Sequence, residues 1–313
     1  MLHPIKRLSF AAVALLAAAT LCFSQFTANT RLVVLHASVS DKKGHLVQNL
    51  KEKDFKVFEN GVQQPLKVFK HEDIPISMGL LIDDSGSMRD KRARVEAAAL
   101  ALVHASNPQD EVFVVNFNDE AYLDVPFTND VKKMEQGLAR IDSRGGTAMR
   151  DAINMSIDYV KAKGKRDKKV LIVVTDGNDN ASAASLEQVV QRAIQSEVLI
   201  YAVGVLGEEE RHEAAKAKRA LKELTAATGG MAFYPKDVNE VNGLALQIAT
   251  DIRSQYTLAY TPPNPDDPSY RQIKVECDAP GHPQVRTRSG YYAKGATPPP
   301  QNTSASSAGF TIK

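Results

Sequence analysis

This 313-residue chain is poor in most of the features that would identify a chemistry at once. Cysteine occurs only at Cys22 and Cys277, so no disulfide framework is available and the fold must rest on a hydrophobic core. Net charge is close to nil, with 39 basic and 37 acidic residues. That excludes the broad basic field which attracts nucleic acid. A long apolar run occurs only at residues 8–21, which is short for a membrane span. There is no Gly-x-Ser-x-Gly elbow and no Gly-x-x-x-x-Gly-Lys loop, which argues against a serine hydrolase and a nucleotide-phosphate cradle.

The apolar run follows Lys6 and Arg7 and precedes small residues before Gln25. This is the order of a secretory signal peptide, residues 1–24. A lipoprotein reading with Cys22 acylated is weaker, because bulky Leu21 precedes that cysteine. An uncleaved N-terminal anchor is the other alternative. Removing residues 1–24 takes away two basic residues and no acid, bringing the formal charge from +2 to 0. The mature chain then keeps only Cys277, in the alternating stretch "QIKVECDA", a half-buried strand position. The expected location is extracytoplasmic (periplasmic, cell-surface or secreted), with no membrane span in the mature chain.

What is present divides the chain by hydrophobic period. Residues 25–73 read as a β region, with a hairpin at Asn60-Gly61, since both residues accept the positive φ of a tight turn. Residues 74–253 alternate apolar strands (76–83, 111–117, 169–176, 198–205) with helical stretches (91–106, 148–163, 185–197, 213–228, 241–253). Near-continuous apolar strands need cover on both faces, so the fold class is α/β, a doubly wound, mostly parallel sheet. Residues 254–294 return to a β pattern. Each flank is too small for its own core, so the two are expected to pack as one small sandwich-like unit. Residues 295–313, rich in Pro, Ser and Thr, are expected to be a disordered tail.

In an open α/β sheet, ligands bind at the carboxyl ends of the strands. There the sequence reads "LLIDDSGSM", "SRGGTAMRDAI" and "VVTDG". Asp83, Ser85, Ser87, Thr147 and Asp176 together make an all-oxygen set, with no histidine or lysine beside the first cluster. Without nitrogen or sulfur donors, zinc and copper are disfavoured. Hydroxyls with few carboxylates suit Mg²⁺, with Mn²⁺ or Ca²⁺ as alternatives. Two carboxylates and three neutral hydroxyls leave the ion with positive charge to spare for an acidic group from a partner. Asp84 points away from Asp83 by strand alternation and reads as structural. Asn178, Asp179 and Asn180 read as loop polar groups or as residues that support the ligands from behind, and the basic run at 161–169 as a solvated helix end and loop. His104 on a helix and His212 in a charged run read as core or solvated positions.

These three motifs, in this order, resemble the metal-ion-dependent adhesion site of the von Willebrand factor A domain family, over roughly residues 74–250. In that family the Asp-x-Ser-x-Ser residues, here Asp83, Ser85 and Ser87, hold the metal with a later threonine and aspartate, here Thr147 and Asp176. The flanking β segments are similar to exported bacterial VWFA-related proteins of the Acidobacteria type. The resemblance implies a non-enzymatic module that engages a protein ligand's carboxylate through the ion. The alternative is a structural subunit of a cell-envelope assembly in which the metal only stabilises the fold. No nucleic-acid partner is expected, and the oligomeric state is open.

Overall fold

The computed structural model describes residues 32–138, 144–176, 179–206 and 211–292. The expected signal peptide, the Pro/Ser/Thr-rich tail and Asn178 lie outside the described residues.

The chain opens with β1 (Val33–Ser40), β2 (Phe55–Glu59), β3 (Val62–Gln64) and β4 (Val68–Lys70). An α/β run follows: β5 (Ile76–Asp83), α1 (Arg92–His104), β6 (Glu111–Phe117), β7 (Ala121–Thr128), α2 (Val131–Leu138) and α3 (Met149–Lys163). It continues through β8 (Lys168–Thr175), α4 (Leu186–Ser196), β9 (Leu199–Gly204), α5 (Arg211–Thr228), β10 (Ala232–Phe233) and α6 (Val241–Arg253). Strands β11 (Tyr256–Tyr260), β12 (Tyr270–Cys277), β13 (Gln284–Arg286) and β14 (Gly290–Tyr292) complete the described chain.

The central sheet has the order β10-β9-β8-β5-β6-β7 and is parallel except for β7, which runs antiparallel to β6 at one edge. All eight residues of β5 are buried, because both faces are covered. Alternate side chains serve different cores: Met78, Leu80 and Ile82 pack with α1 and α6, while Leu81 packs with α3 and α4. At about 25 cal/mol per Å² of apolar surface removed from water, these two layers supply the main driving force for folding.

The sequence pattern did not reveal β7 and α2. Strand β7 carries Asp124 and Pro126 and is only partly buried, so its apolar signal is diluted. Proline is tolerated there because the strand is an edge. Helix α1 also begins and ends inside the expected 91–106.

The flanks do share one small β-sandwich. Its sheets have the orders β13-β1-β11-β4 and β14-β12-β2-β3, each mixing strands from both ends of the chain. Leu35, Val57, Tyr256, Leu258 and Val275 lie in the core between them. Asn60 (φ 49°) and Gly61 (φ 80°) form the β2–β3 turn in the left-handed region, as a tight hairpin requires. Inside the sandwich, buried Glu59 accepts hydrogen bonds from Arg271 (3.0 Å), Tyr260 (2.5 Å) and Tyr291 (2.9 Å). Arg271 also donates to the Asn264 carbonyl. Both charges are thereby paired, the condition under which burial is tolerated. Cys277 is buried in β12 as a free thiol, and burial raises its pKa.

Polar contacts join the sandwich to the α/β part. Gln255 Nε2 donates to Ser38 Oγ and to Tyr201 Oη, both at 3.1 Å, and Tyr201 donates to Asp251 at 2.7 Å. Among the described residues, no helix is long and apolar enough to cross a membrane.

Candidate metal centre

Three loops meet where β5 and β8 end. Asp83 closes β5, and Ser85 and Ser87 follow in a short 3₁₀ turn that leads into α1. Asp176 is the first residue beyond β8, and Thr147 lies two residues before α3. The parallel pairing of β5 with β8 sets Asp83 and Asp176 on the same sheet edge.

Side chains link most of this set. Asp83 Oδ1 accepts from the Ser85 backbone N–H at 2.9 Å, and its Oδ2 accepts from Thr175 Oγ1 at 2.6 Å. Ser85 and Ser87 place their hydroxyl oxygens 3.1 Å apart, and Ser87 donates to Asp176 Oδ1 at 2.9 Å. Thr147 is buried, and its carbonyl accepts from the backbone N–H groups of Asn180 and Ala181. Its own N–H donates to Asn180 Oδ1 at 2.8 Å.

The Thr147 loop is built around a carboxylate. Asp119 Oδ1 accepts from Gly146 N–H at 2.8 Å. A Cβ on Gly145, whose φ is 76°, would sit 2.1 Å from Asp119 Oδ2, and one on Gly146 would meet Asn180 and Asp119 at under 3 Å. Only glycine fits both positions. The Gly145 carbonyl also accepts from Gly86 N–H at 3.3 Å, tying this loop to the serine turn.

Asp179 serves the loops. It accepts from the backbone N–H of Arg150 (2.7 Å) and its guanidinium (2.9 Å), and from the Ser182 hydroxyl (2.7 Å). It therefore anchors the post-β8 segment on the start of α3. Asp84 accepts from Arg92 at 3.1 Å, a structural contact away from the serines.

Lys91 is the residue that sequence reasoning missed. Its Nζ donates to Asp176 Oδ2 at 2.6 Å and reaches the Val205 carbonyl at 3.4 Å. The absence of lysine beside the cluster therefore holds in sequence and fails in space. The available signal was spacing: four residues past Ser87 at a helix entrance is one helical turn, and puts a long side chain back over the serines.

Burial, more than any neighbour, pushes the Asp83 carboxyl up to about 6, and the nearby Asp176 charge adds to this. Two carboxylates and serine hydroxyls within hydrogen-bond reach of one another form a hard, oxygen-only donor set. It suits a hard divalent cation, whose charge would offset the cost of burying Asp83. Among the described residues no cluster of three or more His, Cys, Asp or Glu forms a metal site, so a metal held here depends on hydroxyl oxygens.

The fold has known relatives. Calcium-activated chloride channel regulator 1 of Equus caballus is 27% identical over 173 residues, covering 53% of this chain and 18% of that protein. Integrin alpha-11 of Homo sapiens is 34% identical over 105 residues, covering 32% of this chain and 9% of that protein. The chain thus spans less than a fifth of the length of these curated relatives. In structure, a von Willebrand factor type A protein from Catenulispora acidiphila aligns with a TM-score of 0.50 and 12% identity, covering 86% of this chain and 76% of that one. Proximal thread matrix protein 1 from the mussel byssus, solved with a zinc-occupied MIDAS motif, also aligns with a TM-score of 0.50, at 16% identity over 61% of this chain and 48% of that one. Residues 78–247, more than half of the sequence, match the von Willebrand factor type A domain, a match that accounts for the doubly wound sheet: the chain belongs to the von Willebrand factor type A domain family.

Proposed function

We propose that this protein is a non-enzymatic, extracytoplasmic binding module. In this reading Asp83, Ser85, Ser87, Thr147 and Asp176 hold a divalent cation, Mg²⁺ first, with Mn²⁺ or Ca²⁺ as alternatives, and the loops around them receive an acidic group of a partner protein. The observation that carries the reading is the continuous chain of contacts from Asp83 through Ser85 and Ser87 to Asp176, at 2.9–3.1 Å, on the carboxyl edge of the sheet. When bound, the cation would supply a coordination position for an anionic oxygen; Asp83 and Asp176 formally match its double charge, and Lys91 beside Asp176 leaves the site net positive. The zinc-occupied neighbour and the integrin relative support a divalent site and a protein-interaction role.

A second reading, a structural subunit whose site serves the fold, draws on Lys91, which already balances Asp176. The test is calorimetric titration of the full chain with Mg²⁺, Mn²⁺, Ca²⁺ and Zn²⁺, followed by partner capture from a native envelope fraction with and without EDTA. Binding that is weakened at least about tenfold by Thr147→Ala or Asp176→Ala supports the site. Capture lost in EDTA supports the adhesion reading. No heat with any cation overturns the site, and capture that survives EDTA favours the structural role.

A further inference from the structure

At the opposite end of the central sheet, where β5, β8 and β9 begin, a cavity of about 790 Å³ opens between the sheet and the sandwich. Cavities of this size at the junction of two packed units are the usual setting for small-molecule sites. It shares no lining residue with the candidate metal centre.

Three buried polar atoms without a hydrogen-bond partner belong to residues that line it: Arg166 Nε, Thr287 Oγ1 and Arg288 Nε. A buried polar atom left unpaired forfeits the hydrogen bond it had with water, so three around one cavity need an explanation. Arg288 is itself 7% exposed, and its outer nitrogens are committed to Glu197 (3.0 Å) and the Val34 carbonyl (2.9 Å). Its Nε has no hydrogen-bond partner among the described residues, and its guanidinium lies 5.3 Å from the centre of the Tyr291 ring.

The charges around the cavity do not cancel. Lys70 pairs with Glu72, and Arg288 with Glu197. Lys165 and Arg166 have no ion-pair partner among the described residues, and the remaining lining acid, Asp167, offsets only one of them. His36, also on the wall, stays neutral: burial first, then the charges of Lys168 and Arg288, lowers its pKa to about 3. Most of the rest of the wall is apolar, with Val34 (43% exposed), Val68 and Ile194, and Thr228 and Thr257 also line it. One uncompensated positive charge, hydrogen-bond donors and an apolar lining describe an amphipathic monoanion.

We propose that this cavity is a second binding site, for a small organic carboxylate with an apolar body, its carboxylate received by Arg166, Thr287 and Arg288. Neither inorganic phosphate nor an uncharged alcohol meets both requirements, since the first lacks apolar surface and the second lacks charge. The site is independent of the metal centre and of any partner bound there.

The test uses the full chain with octanoate, octan-1-ol and inorganic phosphate as probes, followed by titration calorimetry and thermal unfolding. Octanoate is expected to bind and raise the unfolding temperature, with the other two at least about tenfold weaker, the worth of one charge-assisted contact. Arg166→Gln should weaken octanoate about tenfold and Thr287→Val several-fold. Unchanged circular dichroism and unchanged divalent-cation titration would show that the fold is intact. No binding of octanoate, equal binding of octanol or phosphate, or full binding by a folded Arg166→Gln would each overturn the proposal.

Discussion

Lys91 Nζ lies 2.6 Å from Asp176 Oδ2, while Ser87 holds the other oxygen of the same carboxylate at 2.9 Å. Asp176 is therefore claimed on both oxygens from the link between β5 and α1, by Ser87 in the 3₁₀ turn and by Lys91 at the N-cap of α1. A divalent cation at this edge has to share or displace the ammonium. Lys91 is 28% exposed at its side chain, so it has room to swing toward solvent or toward an anionic group presented from outside.

Replacing Lys91 with methionine should tighten Mg²⁺ binding by at least about tenfold, because a unit positive charge a few ångströms from the ion is removed. Calorimetry without any partner reads this directly. Unchanged or weaker affinity in Lys91→Met would mean that the ammonium does not compete for Asp176.

Asp83→Asn separates the cost of the carboxylate from its use. Asp83 is buried with its pKa raised to about 6, so at neutral pH the fold carries a charge it would prefer to neutralise. In EDTA the asparagine variant should be as stable as the parent or more so, by up to about 3 kcal/mol. Its stabilisation by Mg²⁺ should vanish. Denaturant melts with and without Mg²⁺ check both halves, and a variant much less stable in EDTA would contradict the first.

In the sandwich, Glu59→Gln leaves the Arg271 guanidinium without its buried counter-charge. Loss of one partner of such a pair costs about 3–5 kcal/mol. Equilibrium unfolding should show a loss of that order, and Arg271→Met with Glu59→Gln together should cost less than the two single losses summed. Additive costs would show that the pair is not coupled.

Lys168 gives the protein a pH-dependent term away from the metal edge. Burial lowers its pKa from 10.5 to about 7, against the opposing pull of Asp251, and its Nζ donates to the Ile252 carbonyl at 2.6 Å. Between pH 7 and 10.5 the unfolded chain binds the proton that the folded chain releases, so stability rises with pH across that window. Below pH 7 both states are charged and the full cost of burial remains. Chemical denaturation at pH 7, 8 and 9 should show a positive slope of up to about 1.4 kcal/mol per pH unit. Lys168→Met should flatten it, and an unaltered slope in the variant would assign the effect to other groups.

The legible parts of this molecule were those whose signal is local. β5 reads as "ISMGLLID" because both faces are covered, and the Asn60-Gly61 turn reads from its two left-handed positions alone. The five candidate ligands could be named because strand ends in a parallel sheet collect on one edge. Lys91 escaped because its importance comes from a distance in space to Asp176, 85 residues further along. That the two flanks pack together could be argued from size, but not the pairing of β1 with β11 and of β2 with β12, nor its register. Cross-strand partners more than two hundred residues apart leave no local trace.

Because Leu35 pairs with Leu258 and Val57 with Val275, the four N-terminal strands of the sandwich, β1–β4, are made long before β11–β14. During synthesis they must wait with open edges while the whole α/β insertion emerges and folds through its shorter-range βα contacts. Closing so long a loop adds little to its equilibrium cost, since the entropy grows only with the logarithm of length. It does set an order of events: the sandwich is the last part to form. The interval before β11 arrives is when this chain is most open to pairing with another copy of itself.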